Sequence, residues 1–151
     1  MTTNLAAAYR ARFGIDPEGG LAVDLPDDAA ADLSRILSRR SYRKFAGRPV
    51  DETLRTALLA CAQSASAKSD MQQYSILDLH DPAKKVALAN LCDTGWMADA
   101  PVLLVFCGDL NRARRMGALR GHANAQDTLD SFYNATVDAA LALQSSGGPQ
   151  T

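Results

Sequence analysis

The densest group of side chains able to bind an anion is the basic segment from Arg39 to Lys44, which reads Arg-Arg-Ser-Tyr-Arg-Lys. Guanidinium groups form charge-assisted, bidentate hydrogen bonds to phosphate oxygens, and a serine hydroxyl adds a further donor. Arg40, Ser41 and Arg43 could converge on a phosphate where the chain turns. Cations at a helix C-terminus can instead complement the helix dipole while staying solvated, so the spacing leaves both interpretations open.

A second candidate segment runs from Ser64 to Asp70, where small polar residues follow one another without hydrophobic periodicity. This pattern predicts a loop with exposed backbone groups, and such loops often hold ligands. A solvated turn is the alternative. Trp96, beside Met97, is either a core residue or a side chain that stacks on a planar ligand.

Metal and triad chemistry find no support in the sequence. His80 and His122 have no cysteine or carboxylate partner at metal-ligand spacing, so no metal site is predicted. No Ser-His-Asp arrangement can be assigned, and no side chain is predicted as a catalytic acid or base.

Charge and composition exclude several classes of partner. Sixteen Lys and Arg residues stand against 17 Asp and Glu residues, a net charge of -1, so neither nucleic acid nor an anionic membrane is an expected partner. The longest apolar run, Ala100–Cys107, is far below the roughly 20 residues of a membrane-spanning helix. We therefore expect a cytoplasmic protein. Its odd number of cysteines predicts reduced, buried thiols at Cys61, Cys92 and Cys107.

Helical periodicity and capping signals indicate the elements that position these residues. An alternating segment and an unbroken apolar run predict two strands, Tyr74–Leu79 and a central buried strand over Val102–Cys107. Helices are predicted over 4–13, from 27 or 28 to about 39, over 52–64 with Asp51 as N-cap, over 83–91, and from 126 to about 144.

Three segments, in this order along the chain, resemble the nitroreductase family. Arg40-Ser41-Tyr42-Arg43-Lys44-Phe45 is similar to the RSxRxF element that opens the family. The run from Asp99 to Asp109 resembles the APxxLVFCAD strand of its NADPH-dependent flavin and nitro reductase branch. The segment from Val137 to Gln144 is similar to its central dimer-forming helix. Together the three span roughly residues 35 to 144.

The resemblance implies an α+β fold, with a mixed and mainly antiparallel sheet flanked by helices. The predicted organisation is an N-terminal helix and connection at 1–25, a nitroreductase-like domain at 26–144 and a disordered tail at 145–151, where Ser, Gly and Pro cannot extend a helix. The implied activity is an FMN-dependent oxidoreductase, working as a homodimer. NAD(P)H would reduce the flavin, which would then reduce a nitroaromatic, quinone or flavin in a two-electron, ping-pong cycle.

Family positions carry over to nine residues as contacts to the flavin. Arg40, Ser41 and Arg43 match its phosphate and ribityl contacts, with Arg39 at a position often held by a polar or basic ligand. The Ser-rich loop, which reaches the flavin bound mainly by the partner subunit, is matched by Ser66, Ala67 and Lys68, followed by Gln72. Thr94 stands where this branch often has a glutamine beside the isoalloxazine.

Two alternatives remain open at this point. The chain leaves the family pattern at Ser145, before an LGLG-type turn, a flavin-edge loop, a further strand and a late Lys or Arg pair. This predicts a fold incomplete at its carboxy-terminal end, and a non-catalytic fragment with weak or absent flavin binding is the main alternative. A flavin-dependent dehalogenase or dehydrogenase on the same fold is the second.

Overall fold

Two compact units make up the computed structural model, which describes residues 5–21, 25–122 and 128–147. One unit ends at Tyr42 and the other begins at Arg43. This division differs from the expected domain boundary at residue 25, which stays a prediction.

The first unit is a pair of helices, α1 (Leu5–Phe13) and α2 (Asp27–Ser38), which pack on each other. A short 3-10 helix covers Glu18–Leu21. Gly14 ends α1 in the left-handed region at φ +74°, and its N–H donates to the carbonyl of Arg10 at 2.8 Å. Glycine reaches this conformation without a Cβ clash, so the predicted end of the first helix at residue 13 is confirmed.

The second unit places an antiparallel pair of strands against helices. Tyr74 lies opposite Gly108 and Asp78 opposite Leu104 in the ladder. The N-cap predicted at Asp51 is confirmed, since its carboxylate accepts from the N–H of Leu54 at 2.9 Å. The elements in chain order are α3 (Glu52–Gln63), β1 (Tyr74–Asp78), α4 (Pro82–Leu91), β2 (Leu104–Gly108), α5 (Asn111–Leu119) and α6 (Leu129–Ser145), with 3-10 turns at Lys68–Asp70 and Gly95–Asp99.

The core of the second unit lies along α6, which contacts α3, β1 and β2. Ala135, Ala139 and Ala142 are buried on one face of this helix, where small side chains let another element pack closely. The larger apolar side chains lie on a different face and are exposed: Leu129, Phe132, Tyr133 and Leu143. The small apolar residues of the helix are thus buried, and its large apolar residues are exposed to solvent.

Two expectations about burial are wrong. The strand predicted over Val102–Cys107 is not a central buried strand, because β2 is half-buried and pairs with β1 alone among the described residues. An apolar run also suits a strand covered by a helix on one face, as α6 covers β2. The three cysteines are free, but Cys61 and Cys92 are exposed, on α3 and at the end of α4, and Cys107 is half-buried.

The predicted start of α6 and most of the predicted tail after it lie outside the residues that the structure describes. Its predicted start near residue 126 lies outside the described residues, which resume at Thr128, and Thr128 caps the helix by accepting from the N–H of Ser131 at 3.3 Å. The predicted tail at 145–151 lies mostly outside them as well. Across the described parts of the chain, no helix has the length and apolarity to cross a membrane.

Candidate functional site

Arg39 and Arg40 lie where α2 ends, in the first unit. The guanidinium of Arg40 donates to the carbonyls of Leu37 at 3.1 Å and Arg39 at 2.9 Å, and to Ala11 of α1 at 3.2 Å. Arg12 also donates to the carbonyl of Arg39, at 2.9 Å. These contacts satisfy carbonyls that a helix end leaves without partners, as the helix-end interpretation of the basic segment expects.

Arg43 lies in the second unit, beside Trp96, whereas the exposed Ser41 belongs to the first. The guanidinium carbon of Arg43 is 5.9 Å from the centroid of the Trp96 ring, within reach of a cation–π interaction. The Phe45 ring lies 6.3 Å from the Trp96 ring on a tilted plane. Trp96 keeps 37% of its surface exposed, so it is not a core residue.

Thr94 immediately precedes the 3-10 turn that carries Trp96. Its hydroxyl lies 2.6 Å from the sulfur of Met97, within the same turn. The Thr94 carbonyl accepts from the N–H of Met97 at 2.9 Å. In this structure Thr94 therefore stabilises the turn that carries Trp96.

The Ser-rich segment ends in an unusual backbone. Ser69, Asp70 and Gln72 have φ values of 53°, 54° and 47°, a region that residues other than glycine seldom adopt. Two backbone N–H groups, those of Lys68 and Gln73, each donate to the Asp138 carboxylate at 3.1 Å. The structure therefore shows an ordered, tightly bent loop, in which Lys68 is exposed and Gln72 half-buried.

A cleft of about 390 Å³ lies between the end of β2 and α6. A hydrogen bond from the Ser75 hydroxyl lowers the pKa of Asp109 at its edge, and the N–H of Asn111 and the charges of Arg112 and Arg114 act in the same direction. Asp109 is therefore held as a carboxylate. None of the nine residues assigned to the flavin lines this cleft.

Known flavin and nitro reductases are related to this chain, although no protein-family model matches it. The FMN reductase (NADPH) of Bacillus subtilis is 31% identical over 115 residues, which cover 74% of this chain and 46% of that protein. An oxygen-insensitive NADPH nitroreductase of Salmonella typhimurium is 39% identical over 83 residues, 53% of this chain and 34% of that protein. The structure of the NfrA1 nitroreductase of B. subtilis matches with a TM-score of 0.73 at 31% identity, over 76% of this chain and 47% of its own.

The chain is similar to the amino-terminal part of these FMN reductases and nitroreductases. Its match covers the amino-terminal part of the family's proteins, and the chain spans about half the length of the curated relatives it matches. The α+β nitroreductase-like fold expected from the sequence is confirmed by these neighbours.

Two residues that hold the bent loop after the Ser-rich segment were not predicted from the sequence. Asp138 is 1% exposed on α6. The sequence feature that could have identified it is a carboxylate within the run of small apolar residues at 135–142. A charge can be buried there only if several donors surround it. Arg112 on α5 donates to the carbonyls of Met71 at 2.7 Å and Gln72 at 2.8 Å. No sequence signal pointed to Arg112, because its contact joins segments about 40 residues apart that meet only in the folded chain.

Proposed function

We propose that this chain supplies half of an FMN site in an oxidoreductase that uses NAD(P)H. The relatives bear the names FMN reductase and NADPH nitroreductase, and a structure of NADPH:FMN oxidoreductase from Vibrio harveyi, 27% identical, contains NAD+. FMN, when bound, would supply the redox chemistry, taking a hydride from NAD(P)H and passing two electrons to a nitroaromatic, quinone or flavin in a ping-pong cycle.

The observation that carries the proposal is the state of Arg43. Its guanidinium is exposed beside Trp96 and forms no ion pair with any carboxylate of the described residues. A phosphate dianion needs such a cation, held in position and not already neutralised. The residues present therefore fit the phosphate end of FMN.

The other assigned residues are further contacts to FMN in the proposal. Arg39, Arg40 and Ser41 would complete the phosphate and ribityl contacts, which requires the Arg40 guanidinium to leave some of its present carbonyl partners. The bent loop would present Ser66, Ala67, Lys68 and Gln72 to a flavin bound mainly by a partner subunit, and Thr94 would lie near the isoalloxazine.

A homodimer follows from the same proposal. Leu129, Phe132 and Tyr133 are 81%, 67% and 65% exposed on one face of α6. Large apolar groups clustered on a helix face favour burial against another surface. A second copy of this chain, packed along α6, is the partner that we propose, with a small molecule as the electron acceptor.

The exposed apolar surface also favours a second candidate function, a non-catalytic fragment that binds a partner or itself. The chain spans 46% of the FMN reductase that it matches, and large side chains such as Leu119 on α5 are 87% exposed. Such a fragment requires no flavin. Protein that elutes without flavin in a large assembly would favour this candidate.

Flavin retention tests the proposed function. Purified protein is mixed with FMN, passed through gel filtration and examined for flavin absorbance, beside Arg43→Ala and a control, Lys44→Ala. Removal of a charge-assisted contact to phosphate is expected to raise the Kd for FMN about tenfold or more, whereas the neighbouring Lys44 change has a smaller effect. Wild-type protein without retained flavin would overturn the proposal.

A further inference from the structure

The loop formed by residues 68–73 holds a backbone that does not persist by itself. Left-handed conformations at Ser69, Asp70 and Gln72 are sparsely populated by residues with a Cβ, and surrounding contacts must maintain them. The loop also contains Lys68 and Gln72, which the proposed function assigns to the flavin. The contacts that hold the loop therefore determine the positions of Lys68 and Gln72.

Asp138 holds the loop from the core of the unit. Its buried carboxylate accepts from the N–H groups of Lys68 and Gln73, the first and last residues of the loop. These two bonds bring the ends together, but they do not determine the path of the residues between them.

Arg112 holds the middle of the loop from the solvent side. A single guanidinium nitrogen, Nη2, donates to the carbonyls of Met71 at 2.7 Å and Gln72 at 2.8 Å. Arg112 is in the first turn of α5, and the ionised Asp109 just before that helix interacts favourably with its charge.

We propose that Arg112 is a positioning residue for flavin binding, which fixes the left-handed Gln72 so that the loop meets the ligand already shaped. This inference rests on the proposed function. A loop held in one conformation loses less entropy when a ligand binds, so loss of the anchor lowers affinity even though the anchor does not contact the ligand.

The test compares Arg112→Ala with Arg112→Lys and with the control Arg115→Ala. Arg115 is exposed on the same helix, and its side chain makes no hydrogen bond or ion pair with another described residue. Three quantities are measured for each full-length variant: the Kd for FMN, Tm and the rate of tryptic cleavage after Lys68. The cleavage is monitored by mass spectrometry of the 1–68 product.

For Arg112→Ala we expect a Kd about tenfold higher than wild type, since the binding step must then order the loop. We also expect faster cleavage after Lys68, with Tm close to that of Arg115→Ala. Arg112→Lys, which keeps an ammonium donor for the carbonyls, should recover most of both properties. A merely structural role would lower Tm without this separation of affinity from stability.

Each contrary result identifies which idea fails. If wild type binds FMN and Arg112→Ala matches Arg115→Ala in both Kd and cleavage rate, the positioning role is wrong and the proposed function stands. If wild type itself binds no FMN, the proposed function is wrong and the positioning role is wrong with it.

Discussion

At the scale of single residues, the most informative side chain is the buried carboxylate of Asp138. It is 1% exposed and has two backbone N–H donors, from segments 65 and 70 residues away in the chain. A buried charge is tolerated only when donors replace the water that it loses. The residue thus links α6 to the loop in a way that no apolar side chain could replace.

Replacement of Asp138 by alanine should leave the N–H groups of Lys68 and Gln73 without acceptors. The Gln73 N–H is buried and the Lys68 N–H is part-buried. An unsatisfied buried donor costs about 1–3 kcal/mol and a part-buried one less, so we expect a loss of about 2–4 kcal/mol in the free energy of unfolding, measured in urea. Asp130→Ala is the matched control, because it removes an exposed carboxylate from the same helix and should cost about 1 kcal/mol or less. Equal losses in the two variants would contradict this role for Asp138.

At the scale of elements, the contact between β2 and α6 depends on the absence of a side chain at Gly108. A Cβ built there would lie 3.2 Å from the backbone carbonyl carbon, the carbonyl oxygen and the Cβ of Ala135. Two of those atoms belong to the helix backbone and the third is the Cβ attached to it, so they move only with the helix. The strand end therefore lies so close to the helix that a Cβ at residue 108 would require the helix to shift by a few tenths of an ångström.

Gly108→Ala should force β2 and α6 apart and destabilise the second unit. Overpacking of this kind typically costs about 1–3 kcal/mol, which urea unfolding would detect. Gly95→Ala is the control, since a Cβ at Gly95 meets nothing within 4 Å. A Gly108→Ala variant as stable as wild type would show that the helix can shift at little cost.

At the scale of the whole molecule, the exposed apolar surface on α6 is the feature that favours association with a partner. The proposed second copy would cover Leu129, Phe132 and Tyr133, which solvent now reaches. Burial of one such aromatic side chain contributes about 1.5–3 kcal/mol to association. Dimerisation and half-site binding of flavin are thus parts of one proposal.

Phe132→Asp should weaken the homodimer, because it removes apolar contact area and places a charge on the proposed interface. We expect the dimer Kd to rise at least about tenfold in sedimentation equilibrium. Leu119→Asp, which alters an equally prominent apolar side chain on α5, is the control and should leave the association unchanged. Wild-type protein that sediments as a monomer would exclude the homodimer.

Local patterns in the sequence were sufficient for most of the elements and for the family. Helical spacing placed α1, α2, α3 and α4 to within one or two residues, because caps such as Asp51 and stops such as Gly14 act on their immediate neighbours. The order of three motifs along the chain indicates the nitroreductase family by itself, and the roles of the nine assigned residues stay predictions. The segment after Asp109, which forms α5, contains three arginines and few apolar residues, and it was not predicted as a helix.

Tertiary structure alone decided which contacts those elements make. The sequence could not show that Arg40 bonds to carbonyls at its own helix end while Arg43 lies against Trp96, since either arginine has the same chemistry. Nor could it show that β2 is half-buried, or that Asp138 and Arg112 hold one loop from opposite sides. Helix starts and stops depend on neighbours a few residues apart, whereas burial and anchoring depend on segments 40 to 70 residues apart that meet only in the folded chain.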